Sequence, residues 1–214
     1  MNMLQLSSRV LTGLLLLLSQ TSFAASHQSW NFNVYLGDKL IGQHQFDVFT
    51  RNKTRYISVD ATFNVRVLFF NAYHYQHNNN EVWQGQCLHS IRSTTDDNGD
   101  REFVEGTREN GVLQLRTASG SESLGGCIRT FAYWDPAILK SKQLLNAQTG
   151  ELMPVQVKSL GQDQIDVRGR QVSARQYRLI TSKFSIDLWY SPQHEWLALK
   201  STTQSGDVLH YKLQ

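Results

Sequence analysis

Ile57-Ser58-Val59-Asp60-Ala61-Thr62-Phe63-Asn64-Val65-Arg66-Val67-Leu68-Phe69 is the stretch that decides the fold. Ile57, Val59, Ala61, Phe63, Val65, Val67 and Phe69 hold one parity, and Ser58, Asp60, Thr62, Asn64 and Arg66 hold the other. Successive side chains of an extended chain point to opposite faces, so this alternation predicts a long strand with one dry face and one wet face. A strand of that kind requires a partner sheet or a barrel wall. The same period continues outward in both directions. Trp30, Phe32, Val34 and Leu36 alternate with polar positions, and Gly37-Asp38-Lys39 turns the chain into Leu40 to Phe49.

Downstream, Tyr73 to Trp83, Cys87 to Thr95, Arg101 to Arg108 and Val112 to Thr117 read as strands. They are separated by Asn98-Gly99 and Asn110-Gly111, pairs that tolerate the positive φ of tight hairpins. Ala118 to Gly126, rich in Ser and Gly, reads as a loop. Asp135-Pro136 followed by Ala137 to Leu145 carries an N-cap acceptor, Pro at the first helical position and spaced apolar residues, which predicts one short helix. Strands then resume over Leu152 to Leu160, Ile165 to Arg168, Val172 to Thr181, Phe184 to Tyr190, Trp196 to Thr202 and Val208 to Leu213, with a turn expected at Gly161-Gln162-Asp163. The expected fold is mainly β: an antiparallel β-roll or open barrel of about a dozen strands with one short helix, forming a single domain over residues 25–214.

Composition agrees with one packed domain. The 214 residues are 40% hydrophobic and 18% charged, and five Trp, eight Tyr and ten Phe gain too much by leaving water for a disordered chain. A net charge of +3 comes from 21 basic and 18 acidic residues spread along the chain, without the clustering that nucleic acid requires. Residues 1–24 carry no acidic side chain. Arg9 precedes an apolar run ending at Leu18, and small residues follow up to Ala24. That order is a secretory signal peptide cleaved after Ala24, and its apolar run is about half the roughly 20 residues that span a bilayer. Residues 25–214 are therefore expected to reach the periplasm. In that oxidising setting Cys87 and Cys127 are most simply one disulfide, with two buried thiols or a redox pair as the other readings.

Two stretches carry a resemblance. One is Thr130-Phe131-Ala132-Tyr133-Trp134-Asp135-Pro136 followed by Leu144 to Glu151. The other is Ile186 to Ser191 with Trp196 to Ser201 and Leu209 to Leu213. With Gly85-Gln86-Cys87-Leu88, they resemble a family of exported Gram-negative proteins of unknown function, and the closing strands are similar to a wider family of periplasmic β-roll domains. The resemblance implies compartment and fold. It brings no activity, catalytic residue or cofactor.

The aromatic group Phe131, Tyr133 and Trp134, together with Trp189, is the candidate ligand-binding set. These rings either line a cavity for an acyl chain at one mouth of the roll or fill a packed core, and inward Leu, Phe and Val look alike in both cases. Asp96, Asn98, Gly99 and Glu105 match part of a calcium-loop template, but Thr94 stands at its first position, so a hairpin turn is the simpler reading. His74 and His77, three apart, point to opposite faces of a strand and cannot share an ion there. Arg168, Arg170, Arg175 and Arg178 form a basic run suited to anionic headgroups or to a solvated face. No nucleophile elbow, zincin helix, phosphate loop or dinucleotide fingerprint is present, so catalysis would need a convergent Ser/His/Asp site. The expected function is an exported binding protein that carries or senses a lipid-like ligand of the envelope. The alternatives are an envelope protein-assembly factor and, further off, a hydrolase.

Overall fold

The structure, a computed structural model, describes residues 25–67, 70–203 and 206–214. The expected leader over residues 1–24 lies outside the described residues, as does Phe69. Among the described residues, fifteen strands follow one another. The first eight are β1 (Ser26–Leu36), β2 (Lys39–Arg51), β3 (Thr54–Val67), β4 (Phe70–Gln84), β5 (Cys87–Asp97), β6 (Asp100–Glu109), β7 (Val112–Thr117) and β8 (Gly120–Gly125). Two short strands, β9 (Gln143–Leu145) and β10 (Leu152–Pro154), pair with each other. The last five are β11 (Gln156–Val167), β12 (Arg170–Ile180), β13 (Phe184–Tyr190), β14 (Trp196–Thr203) and β15 (Val208–Leu213).

Thirteen strands make one antiparallel sheet in the order β11-β12-β13-β14-β15-β1-β2-β3-β4-β5-β6-β7-β8. Two meanders are thus joined where the last strand, β15, pairs with the first, β1. The edges β11 and β8 do not pair with each other, so the wall is curled but not closed. Its curl follows from distance. Thr130 bonds to Glu81 of β4 while Phe131 packs on Phe184 of β13, six strand positions away. A flat sheet would separate those strands by about 29 Å at about 4.8 Å per strand, which adjacent residues cannot bridge. The sheet therefore wraps around the segment that carries them.

The decisive stretch behaves as its alternation requires. Ile57, Val59, Ala61 and Phe63 are buried on the inner face of β3, while Asp60 and Thr62 face water. Both Asn-Gly pairs form hairpin turns, with φ of 55° and 101° at Asn98 and Gly99 and 50° and 82° at Asn110 and Gly111. Asp96 accepts from Gly99 N at 2.8 Å and from Arg101 Nε at 3.2 Å, so the calcium-like sequence builds the β5–β6 turn.

Three local expectations are corrected. The loop expected at 118–126 is largely strand β8, an edge strand whose small, polar residues are exposed apart from Leu124. The turn expected at Gly161 to Asp163 is a bulge inside the continuous β11, where Gly161 adopts φ +101° and the chain need not reverse. The short helix expected to run to Leu145 is a single 3-10 turn over Pro136–Lys140. Asp135 does cap it, its Oδ1 accepting from Ala137 N at 3.0 Å. Beyond it the chain extends as β9, because Leu144 and Leu145 are consecutive and both fully buried, which an extended segment enclosed on both faces permits.

Residues 126–155 cross the concave face. Leu88 N donates to Ile128 O (2.9 Å), Leu145 N to Arg129 O (2.7 Å) and Val155 N to Lys142 O (2.9 Å). Ser93 Oγ donates to Ala147 O, and a Cβ on Gly150, where φ is +77°, would collide with Thr117 of β7. The Cys87–Cys127 disulfide pins the start of this crossing segment to β5. No helix among the described residues is long and apolar enough to cross a membrane.

Candidate functional site

Between the crossing segment and the sheet lies a cavity of about 580 Å³. That volume falls in the range of small-molecule sites. One wall is apolar: Ile41, Phe46, Ile57, Val59 and Phe63 from β2 and β3 face Ile186 and Leu199 from β13 and β14. The crossing segment supplies Phe131, Ala132, Tyr133 and Trp134 as a further wall. The expected aromatic group is therefore brought to the cavity. Phe131 and Tyr133 turn toward Phe184, Phe46 and Trp196, with ring centroids 5.6, 6.5 and 5.5 Å apart in turn. Trp134 turns the other way, edge-on to Trp83 at 5.5 Å. Tyr190 Oη donates to Tyr133 O at 2.8 Å and fixes the segment from the β13 side.

Trp189 is not part of this group. It has the opposite parity on β13 and packs with Ala174 and Leu197 on the outer face, its Nε1 donating to Asp163 Oδ2 at 2.9 Å. Trp196, by contrast, is fully buried inside.

The cavity has a polar strip that the sequence reading did not single out. On β4, Tyr75, His77, Asn79 and Glu81 all line it. The signal was present: these residues share parity with Trp83, so an inward Trp83 and Tyr75 carry His77, Asn79 and Glu81 inward with them. His44 enters by the same rule, beside Phe46 on β2.

Glu81 is 4% exposed and accepts three hydrogen bonds, from Asn79 Nδ2 (2.8 Å), Trp83 Nε1 (2.6 Å) and Thr130 Oγ1 (3.2 Å). Burial raises its pKa, and these three donors and the nearby Arg55 pull it back. Asn79 Oδ1 has no partner. His77 is hydrogen-bonded through Nδ1 to Thr95 Oγ1 at 2.9 Å, and burial lowers its pKa to about 4. His44 stacks on Phe46 with centroids 4.2 Å apart, neither ring nitrogen has a partner, and burial, helped by His77, lowers it to about 3. Both imidazoles are neutral at ordinary pH. Tyr75, Tyr133 and Tyr211 are also pushed upward by burial and stay protonated.

The remaining candidates separate. His74 bonds outward to Asn64 Oδ1 at 2.9 Å, so the two histidines of β4 do take opposite faces. No group of three or more His, Cys, Asp or Glu among the described residues is placed to hold a metal. Arg178 is committed to the buried Asp187 at 2.5 and 2.7 Å, so the basic run does not act as one patch. Thr95, the hydroxyl beside His77, is 5% exposed and lies outside the cavity lining.

Residues 32–214 match the family described as Domain of unknown function (DUF6134). The chain belongs to that family. No curated protein matches it. Among solved structures, the DUF6134 chain is similar to a β-barrel-like protein of domain of unknown function DUF1849 from Brucella abortus. The TM-score is 0.64 at 10% identity, over 88% of this chain and 95% of that one. At that identity the likeness concerns the fold: a β-barrel-like wall.

Proposed function

We propose that this protein is exported to the periplasm and binds a lipid-like apolar ligand there, as a carrier or sensor in the cell envelope. The observation that supports this most is the cavity itself, about 580 Å³ of space in a wall where a packed core was the alternative. Burying a chain methylene contributes about 0.8 kcal/mol, so a dozen give about 10 kcal/mol before association costs, enough for micromolar binding. The disulfide fits an oxidising compartment.

The test is to express the full chain with its leader in a Gram-negative host, purify the periplasmic product, extract it with organic solvent and analyse the extract by mass spectrometry. Titration with the neutral fluorophore N-phenyl-1-naphthylamine runs beside it. Expected are a mature chain beginning at Ala25, a co-purifying amphiphile and saturable fluorescence. Absence of both lipid and fluorophore binding would overturn the reading. The free, largely exposed edge strand β11 supports a second reading, in which an envelope protein adds a strand there. Stoichiometric recovery of one partner, lost on placing Pro within β11, would favour it.

A further inference from the structure

The charge lining the cavity narrows what it can hold. Its carboxylates are Glu81 in the interior and the exposed Asp97 and Asp207 at the rim. No Lys or Arg lines it among the described residues. Arg55, the guanidinium that interacts with Glu81, is already engaged. It pairs with Asp135 at 2.9 Å, donates to Gly85 O at 2.7 Å and lies over the Trp134 ring at 4.7 Å. The imidazoles of His44 and His77 add no positive charge, since burial keeps them neutral. An anionic headgroup inside would thus be desolvated without a counter-ion, which strongly opposes binding.

The polar strip nevertheless asks for a partner. Asn79 is 4% exposed, faces the cavity and has a carbonyl oxygen with no hydrogen bond, while its amide nitrogen is held by Glu81. The contact with Glu81 orients the amide, because an ionised Glu81, which also accepts from Trp83 Nε1 and Thr130 Oγ1, accepts Nδ2 and repels Oδ1. A buried acceptor without a donor is destabilising, and a ligand donor would recover that loss.

We infer that the ligand is a non-anionic, single-chain amphiphile whose hydroxyl, amide or ammonium end donates to Asn79 Oδ1 while its apolar body lies against Phe46, Phe63 and Ile186. This rests on the proposed lipid-like binding and specifies its ligand class.

The test is competition against N-phenyl-1-naphthylamine at pH 7.5 with ligands of one chain length, each below its micellar concentration: dodecanol, monolauroylglycerol, laurate and dodecylamine. The two neutral ligands and dodecylamine are expected to displace the probe at concentrations at least tenfold lower than laurate. The Asn79→Leu variant is expected to narrow the ratio of dodecanol to laurate affinity about fivefold or more. Laurate matching the neutral pair would overturn the inference while leaving lipid binding intact. Failure of every ligand and of the probe would instead remove the binding reading on which it stands. If Asn79→Leu does not fold, the panel on the unaltered protein decides the matter.

Discussion

His44 sets the residue scale, because its ring is stacked on Phe46 and near Phe63 while both nitrogens lack partners. A group that only packs would be better apolar. His44→Phe is therefore expected to stabilise the protein by about 1–2 kcal/mol, read as a raised urea midpoint, since it removes an unsatisfied polar group from the interior. A loss of stability would show that the imidazole has a partner. The same residue governs acid sensitivity. Its folded pKa of about 3, with about 4 for His77, lies below the usual 6.5, so the unfolded chain takes up protons that the folded chain refuses. The stability due to each is complete above about pH 6.5 and is lost as pH falls toward 4, by up to about 1.4 kcal/mol per pH unit. Glu81 has the opposite sign. Its raised pKa keeps a proton that the unfolded chain releases, so its contribution falls as pH rises above 4.5. Two imidazoles outweigh one carboxyl, and urea midpoints are expected to rise from pH 4.5 to 6.5. Glu81→Gln should steepen that rise and His44→Phe should flatten it; unchanged slopes would remove these groups from the pH dependence.

At the scale of elements, the segment over residues 126–155 makes the cavity, and it was the part least legible in the sequence. Alternation located β3 and the hairpins because one wet face contrasts with one dry face. In the crossing segment both faces are enclosed, so Leu144 and Leu145 carry no period and their run was compatible with a helix. An extended chain advances about 3.3 Å per residue against 1.5 Å for a helix, and the segment must span a concave face, which favours extension after one turn. The aromatic set was legible as composition, but only the parity of β13 separates Trp189 from it. The disulfide, with a sequence separation of 40, ties Cys127 at the segment's start to β5. The double variant Cys87→Ala/Cys127→Ala is expected to lose roughly 4 kcal/mol through loop entropy in the unfolded state. Hydrogen exchange should rise at 128–150 well before it rises in β1 to β3. Uniform loss of protection would instead show that segment and wall unfold as one unit.

For the molecule as a whole, strand alternation specified a curled antiparallel wall, yet it could not show where the two meanders meet, since alternation records faces and not neighbours. The join is β1 against β15, with Phe32 opposite Leu213 and Val34 opposite Tyr211. Inside that join Phe32 packs on Trp196 at 4.5 Å and on Tyr211 at 6.2 Å. Residues 208–214 are thus the strand that connects β11–β14 to β1–β8, although they are the last in the chain. Ending the chain at residue 207 removes the Tyr211 ring and leaves β14 and β1 each with one unpaired edge in the centre of the wall. A terminal strand on the outside of a sheet could be trimmed at small cost; this one cannot. The truncated protein is expected to lose near-UV circular dichroism and cooperative unfolding, and to aggregate through the exposed edges. Adding back a synthetic peptide of residues 206–214 should restore both signals by filling the gap between β14 and β1. A truncated chain that keeps its cooperative transition without the peptide would show that the two meanders hold together through the crossing segment alone.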